Sequence, residues 1–182
     1  MEQGLTSERI EQLRHQFPAL ARTHDGQAVA YFDGPAGTQV PQRVIGAIGS
    51  YLSECNANHG GRFATSIESD RRLDDAHRAF AQFVGASDPH EIAFGQNMTS
   101  LTFALSRAIG NTWSAGDEVL VTRLDHDANV TPWVLAAQDA GATVHHIDVR
   151  AADCTLDLDD FKKKLSSKTR LVAVGCASNA VG

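Results

Sequence analysis

Three short polar clusters each follow a strand-like apolar run and hold the residues best suited to chemistry: Gln96-Asn97-Met98-Thr99-Ser100, Asp125-His126-Asp127-Ala128-Asn129 and Ser178-Asn179. The first opens a helical pattern. Free backbone N–H groups there, with the helix dipole and the Thr99 and Ser100 hydroxyls, make an anion site; the competing reading is that Asn97, Thr99 or Ser100 is an ordinary N-cap. The second cluster sets a histidine between two aspartates. Three uses are open to it: a flat imidazole laid over a planar ligand, a partial metal shell from Asp125, His126 and Asp127, or a polar turn with a helix cap. The metal reading has the least support, because one stretch supplies only part of a shell and no second ligand group accompanies it. Ser178 and Asn179 can cap the next element or donate to a ligand oxygen.

The elements that must position these clusters are legible as a pattern. From residue 90 onward, strand-like runs (91–95, 118–124, 142–149, 170–177) alternate with helical ones (99–110, 129–141, 156–166), with glycine at the first two helix ends. This β-α-β-α-β-α-β order predicts an α/β fold, a parallel sheet with right-handed crossovers. In such sheets ligands bind beyond the carboxyl ends of the strands, where the three clusters fall. Upstream, Ser7 is predicted to cap a first helix ending before Pro18. AVAYF (28–32) reads as a strand, 42–54 and 67–84 as helices, and NANHGGRFATS (56–66) as a polar, site-lining loop. The domain division this suggests is 1–66, a helix and site-lining loops, and 67–182, a truncated large domain. A parallel sheet normally continues through more strands than four, so the sequence is expected to be a fragment.

Composition narrows the function classes. With 182 residues, 42% hydrophobic and 21% charged, the chain has the make-up of a globular protein. A net charge of −6 and no basic stripe argue against nucleic acid. No apolar run is long enough for a membrane span, and the polar start lacks a signal-peptide core, so a cytoplasmic location is expected. Cys55, Cys154 and Cys176 are too widely spaced for a zinc motif; a reactive thiol is open to any of them, and a small apolar filler is the favoured reading for Cys176. His145-His146 lies in a strand and points to both faces. The four lysines, Lys162, Lys163, Lys164 and Lys168, follow no strand end; the first three read as a solvated helix face whose charges suit the dipole.

Taken together, YFDGPAGTQVPQRVI (31–45), NANHGGRFATS (56–66), EIAFGQNMTSLTFALSRAI (91–109), RLDHDANVTPW (123–133) and TRLVAVGCASNAVG (169–182) resemble the cysteine desulfurase and class V aminotransferase family, in its branch close to selenocysteine lyases. The resemblance implies the three-layer α/β/α large domain of fold-type I enzymes, the cofactor pyridoxal 5′-phosphate, a small amino-acid substrate and a homodimer. It places the cofactor phosphate on Asn97, Met98 and Thr99, the pyridine ring under His126, which is suited to proton transfer, and the cofactor's phenolic oxygen on Asn179. Met98 departs from the commoner Gly-Thr-Thr pattern, so only its backbone N–H can serve. The family's cofactor-binding lysine, its pyridine-nitrogen aspartate and its persulfide cysteine belong to motifs beyond SNAVG, so residues 1–182 alone are expected to be inactive. Two alternatives remain: a non-catalytic binding or assembly protein retaining half of the fold and, more distantly, a metal-dependent hydrolase.

Overall fold

The computed structural model describes residues 5–32 and 34–182. The chain packs as two compact units, Met1–Ala93 and Phe94–Gly182. Residues 66 and 67 lie within one continuous helix, Ala64–Val84.

In the first unit, α1 (Ser7–Arg14) is capped by Thr6, whose hydroxyl accepts the Arg9 N–H at 3.2 Å; Ser7 is its first helical residue. The expected strand at 28–32 is not formed. A small hairpin appears in its place, β1 (Thr23–His24) against β2 (Gln27–Ala28), turned by Asp25 and Gly26 at φ 51° and 78°. Two consecutive positive φ values are what a tight, primed hairpin turn demands, and Asp-Gly supplies them. Residues 29–32 have no ladder partner among the described residues. Helix α2 (Gln42–Glu54) matches its sequence pattern, and α3 (Ala64–Val84) closes on Gly85 in the left-handed conformation. The Tyr51 hydroxyl and Ser69 Oγ, 2.8 Å apart, join the two helices.

The polar loop between α2 and α3 is pinned to the start of α3. Ser66, fully buried, accepts the Gly61 N–H at 2.8 Å and donates to the Asn58 carbonyl at 2.6 Å. Asp70 takes His59 Nδ1 at 2.6 Å and the Gly60 N–H at 3.2 Å. Ser66→Ala removes both loop bonds at once and strands two backbone groups, so it is expected to cost about 1–3 kcal/mol in urea unfolding. Ser66→Thr, which keeps the hydroxyl, should cost less.

The second unit is built on a parallel three-stranded sheet in the order β4 (Thr143–Ile147), β3 (Glu118–Thr122), β7 (Thr169–Val172). β3 is central and buried on both faces, as a parallel strand should be: Val119 and Val121 face Trp113, Trp133, Ala136, Ala137 and Ala173, while Leu120 and Thr122 are buried on the other side. Helix α4 (Met98–Gly110) packs on α5 (Thr131–Ala140), and α5 packs on β3 and β4. After β4 a second hairpin, β5 (Val149–Arg150) with β6 (Thr155–Leu156), leads to α6 (Leu158–Lys164), which packs on β4. Beyond a turn at Pro89–Glu91, residues 92–95 of the apolar run 91–95 are assigned to no strand. Strand propensity is present in that run, as in 28–32, yet a strand exists only with a neighbour to share its backbone bonds.

Helix α6 follows its charge pattern. Asp157 accepts the N–H groups of Asp159 and Asp160 at 3.0 and 3.1 Å, and the lysines fill the last turn. Lys164 differs from the expected solvated face. Its ammonium donates to the His146 carbonyl at 2.7 Å and to Asp160 at 2.6 Å, fastening α6 to β4.

At the amino edge of the sheet, Asp117 accepts from Arg170 Nε at 2.7 Å and from the Ser114 N–H at 2.9 Å. The Arg170 guanidinium first, and the Ser114 N–H second, hold its carboxyl below the usual carboxylate range. A lowered folded pKa adds stability above the ordinary carboxylate value, and that stability is lost as the pH falls through the folded value. Denaturation midpoints are therefore expected to drop below about pH 4, and the acid limb to flatten in Asp117→Asn.

Candidate functional site

Asn97 stands in extended backbone ahead of α4, and its Oδ1 accepts the Ser100 N–H at 2.9 Å. The capping reading therefore holds for Asn97 itself and not for Thr99 or Ser100. The cap uses one first-turn donor. The Met98 and Thr99 N–H groups donate to no protein acceptor among the described residues, and the Thr99 side chain is exposed beside them. Two free N–H groups at the positive end of a thirteen-residue helix, with a hydroxyl alongside, form a cradle for an anion.

The loop after β3 is organised by a relay of side chains that begins in the core. Trp133 Nε1 donates to Asn129 Oδ1 at 3.2 Å, Asn129 Nδ2 donates to Asp125 Oδ1 at 2.8 Å, and the Thr122 hydroxyl donates to Asp125 Oδ2. Thr122 Oγ1 also accepts the Asp125 N–H at 3.0 Å. The loop is thereby closed back on the end of β3. His126 comes next, exposed; its Nδ1 accepts the Ala128 N–H at 3.0 Å and caps the short turn Asp127–Asn129. An accepting Nδ1 places the proton of the neutral ring on Nε2, which leaves that edge for a ligand. Asp127 accepts from the Thr131 hydroxyl at 2.6 Å. With Asp125 turned inward and Asp127 turned to α5, the two aspartates do not converge. No group of three His, Cys, Asp or Glu side chains able to hold a metal occurs among the described residues.

After β7 the chain enters a turn in which the Ser178 and Gly182 backbones bond reciprocally at 3.2 and 3.1 Å, and the exposed Asn179 sits within it. Ser178 Oγ donates to the Leu124 carbonyl, 3.4 Å away, in the loop after β3. A Cβ on residue 175 would lie 2.8 Å from Asp125 Oδ1, so glycine is what lets the two loops touch. The structure thus brings the His126 loop against the Asn179 loop, and α4 packs on the Asp127–Asn129 turn. Asp125, Asn129, Trp133 and Gly175 are the supporting residues that sequence reasoning missed. The signal for the first three lies in the 125–133 stretch, where the same side chains also suit ligand chemistry. The lysines are elsewhere: Lys168 precedes β7 at the opposite sheet edge, its carbonyl taking the Glu118 N–H at 3.0 Å, Lys162 pairs with Asp159 at 3.6 Å, and Lys164 is engaged on β4.

A parallel sheet with polar loops beyond its strands is the arrangement in which open α/β proteins bind ligands, and a helix N-terminus beside them suits an anion. The chain belongs to the aminotransferase class-V family, whose profile matches residues 30–182. It is 33% identical over 175 residues to a probable cysteine desulfurase of Vibrio cholerae, covering 95% of this chain and 43% of that protein. Its fold is similar to the apo cysteine desulfurase of Thermococcus onnurineus, with a TM-score of 0.83 at 28% identity over 94% of this chain and 41% of the other. It is also similar to a lysine-to-alanine variant of C-DES with glycine covalently linked to its PLP cofactor, with a TM-score of 0.67 at 26% identity over 87% of this chain and 39% of that one. The fold is accordingly that of the fold-type I enzymes, and the family's cofactor is pyridoxal 5′-phosphate. The chain spans about 41–43% of the length of the curated relatives it matches.

The residues present fit that cofactor in kind. The α4 cradle suits a phosphate, the His126 ring offers a flat face and a free Nε2 edge, and the Asn179 amide offers a donor for a ring oxygen.

Proposed function

We propose that residues 1–182 form the phosphate- and ring-holding part of a pyridoxal-phosphate enzyme of the cysteine desulfurase type that acts on a small amino acid. Met98 N and Thr99, by N–H and hydroxyl, hold the phosphate, with Asn97 fixing the helix start. His126 lies over the ring and holds or moves a proton at Nε2. Asn179 donates to the phenolic oxygen. When bound, the cofactor supplies an electron sink for bonds breaking at the substrate α-carbon. None of Lys162, Lys163, Lys164 or Lys168 is its covalent anchor, so catalysis draws on sequence outside residues 1–182. The working enzyme is read as a cytoplasmic homodimer without nucleic-acid or membrane partners; among the described residues no helix is long and apolar enough to cross a membrane.

The observation that carries this reading is the pair of unclaimed N–H groups at Met98 and Thr99, on a helix packed against the turn just after His126. A chimera tests it: the Vibrio cholerae relative with its matching region replaced by this chain. A folded chimera that retains pyridoxal phosphate and releases sulfide from cysteine supports the assignment. A folded chimera that holds no cofactor would overturn it.

A further inference from the structure

Both oxygens of the Asp125 carboxylate are engaged within its own loop. Oδ1 accepts Asn129 Nδ2 at 2.8 Å, and Oδ2 accepts the hydroxyl of Thr122, which is 1% exposed at the end of β3. Residues 125 and 129 are the two ends of the turn that carries His126. The bond between them shuts that turn, and inside it His126 Nδ1 accepts the Ala128 N–H at 3.0 Å.

The loop after β7 arrives on the same carboxylate. A Cβ on Gly175 would lie 2.8 Å from Asp125 Oδ1, 3.6 Å from its Cγ and 3.3 Å from the Ala177 carbonyl oxygen. A clash with the tip of a side chain is normally relieved by rotating that side chain. Here rotation gives up the bonds to Asn129 and Thr122, and the Ala177 carbonyl is tight against the added methyl as well. Beside this contact Ser178 Oγ donates to the Leu124 carbonyl at 3.4 Å, which joins the neighbour of Asn179 to the neighbour of Asp125.

We propose that Asp125 is a positioning residue for the cofactor site: seated on Gly175, its carboxylate transmits the placement of the Asn179 loop to the His126 turn. The proposal rests on the reading of His126 and Asn179 as cofactor-holding residues, and adds that neither is placed independently of the other. Unseating the carboxylate opens the 125–129 turn and frees the Ala128 N–H from His126 Nδ1. The proton of the neutral ring is then no longer confined to Nε2. A methyl at position 175 and loss of the Asp125 carboxylate act through one contact, so their effects overlap rather than add.

The test compares the whole protein with Asp125→Ala, Gly175→Ala and the double variant by two readouts. Nitrogen NMR of the His126 ring, without ligand and in mildly alkaline buffer, reports the tautomer; a binding titration reports the affinity for pyridoxal 5′-phosphate. The unsubstituted protein is expected to hold the ring proton on Nε2. Each single variant should give a mixture of tautomers and weaken binding by about tenfold, the scale of one hydrogen bond to a charged group. The double variant should match Asp125→Ala in both readouts. Where Gly175→Ala alone is too unstable to fold, the double variant is expected to fold, since the carboxylate that the methyl meets is gone. A Gly175→Ala protein with the parent's tautomer and affinity, a double variant whose losses add, or a double variant that unfolds where Asp125→Ala does not would each overturn the proposal. If the unsubstituted protein binds no pyridoxal phosphate, the cofactor assignment fails and the tautomer readout still decides the role of Asp125.

Discussion

Trp133→Ala is expected to destabilise the 94–182 unit by about 3–5 kcal/mol, the range for truncating a large aromatic side chain in a packed core. Trp133 is 5% exposed and packs with Val119, Val121, Ala136, Ala137 and Ala173 against the central strand. Most of the cluster around it is valine and alanine fixed on a sheet and a helix, which cannot collapse into the space an indole leaves. The indole has a second role, because its Nε1 begins the relay through Asn129 to Asp125 that sets the loop carrying His126. Trp133→Phe separates the two: it retains most of the packing and loses the hydrogen bond, at about 1 kcal/mol. Denaturant unfolding followed by circular dichroism gives both values. An alanine variant within about 1 kcal/mol of the parent would contradict a core centred on this indole.

Thr99→Asp is expected to change stability and ligand binding in opposite directions. A carboxylate in the first turn of α4 meets the positive end of the helix and should stabilise it by about 0.3–1 kcal/mol. The same carboxylate beside a bound phosphate is a like-charge contact, and two unit charges about 4 Å apart at an effective dielectric of 20 repel by ~4 kcal/mol. Screening and solvent exposure reduce that, so a weakening of pyridoxal phosphate binding by roughly 100-fold is expected, about 2.7 kcal/mol. Binding of pyridoxal, which lacks the phosphate, should barely change. A variant that is more stable and still binds pyridoxal phosphate normally would show that the α4 start is only a helix cap.

Much of the second unit was legible because its elements declare themselves locally. β3, β4 and β7 are short apolar runs, and α4, α5 and α6 show helical spacing with Asn97 and Asp157 as caps. Residues 29–32 and 92–95 come from runs of the same kind but are assigned to no strand, and pairing is a property that one segment does not encode. The hairpin at Asp25-Gly26 was missed for a different reason: its strands are only two residues long, too short to show alternation. Lys164 turned inward because the His146 carbonyl lies within its reach, a contact between residues eighteen apart that a charge run cannot reveal.

The candidate site was legible at the level of strand ends and not at the level of orientation. The positions just beyond each apolar run mark the three polar clusters, while the choice of Asn97 to Thr99, His126 and Asn179 within them is what the family resemblance implies. Direction is a different matter: Asn97 spends its oxygen on Ser100, Asp125 faces inward to Thr122 and Asn129, and His126 caps its own turn through Nδ1. All of these bonds are local, so the residue types were visible in the sequence, but whether each side chain is spent on its own turn or left for a ligand was not. Gly175 is a different case, since its need for a missing Cβ is set by Asp125 on another loop.

The most direct measurement is an amide NMR titration of the protein with pyridoxal 5′-phosphate. Met98, Thr99, His126 and Asn179 are expected to shift together on one saturation curve, with inorganic phosphate reversing the Met98 and Thr99 shifts first. Shifts at only one of the three loci, or different curves for each, would contradict a single pocket at this edge of the sheet.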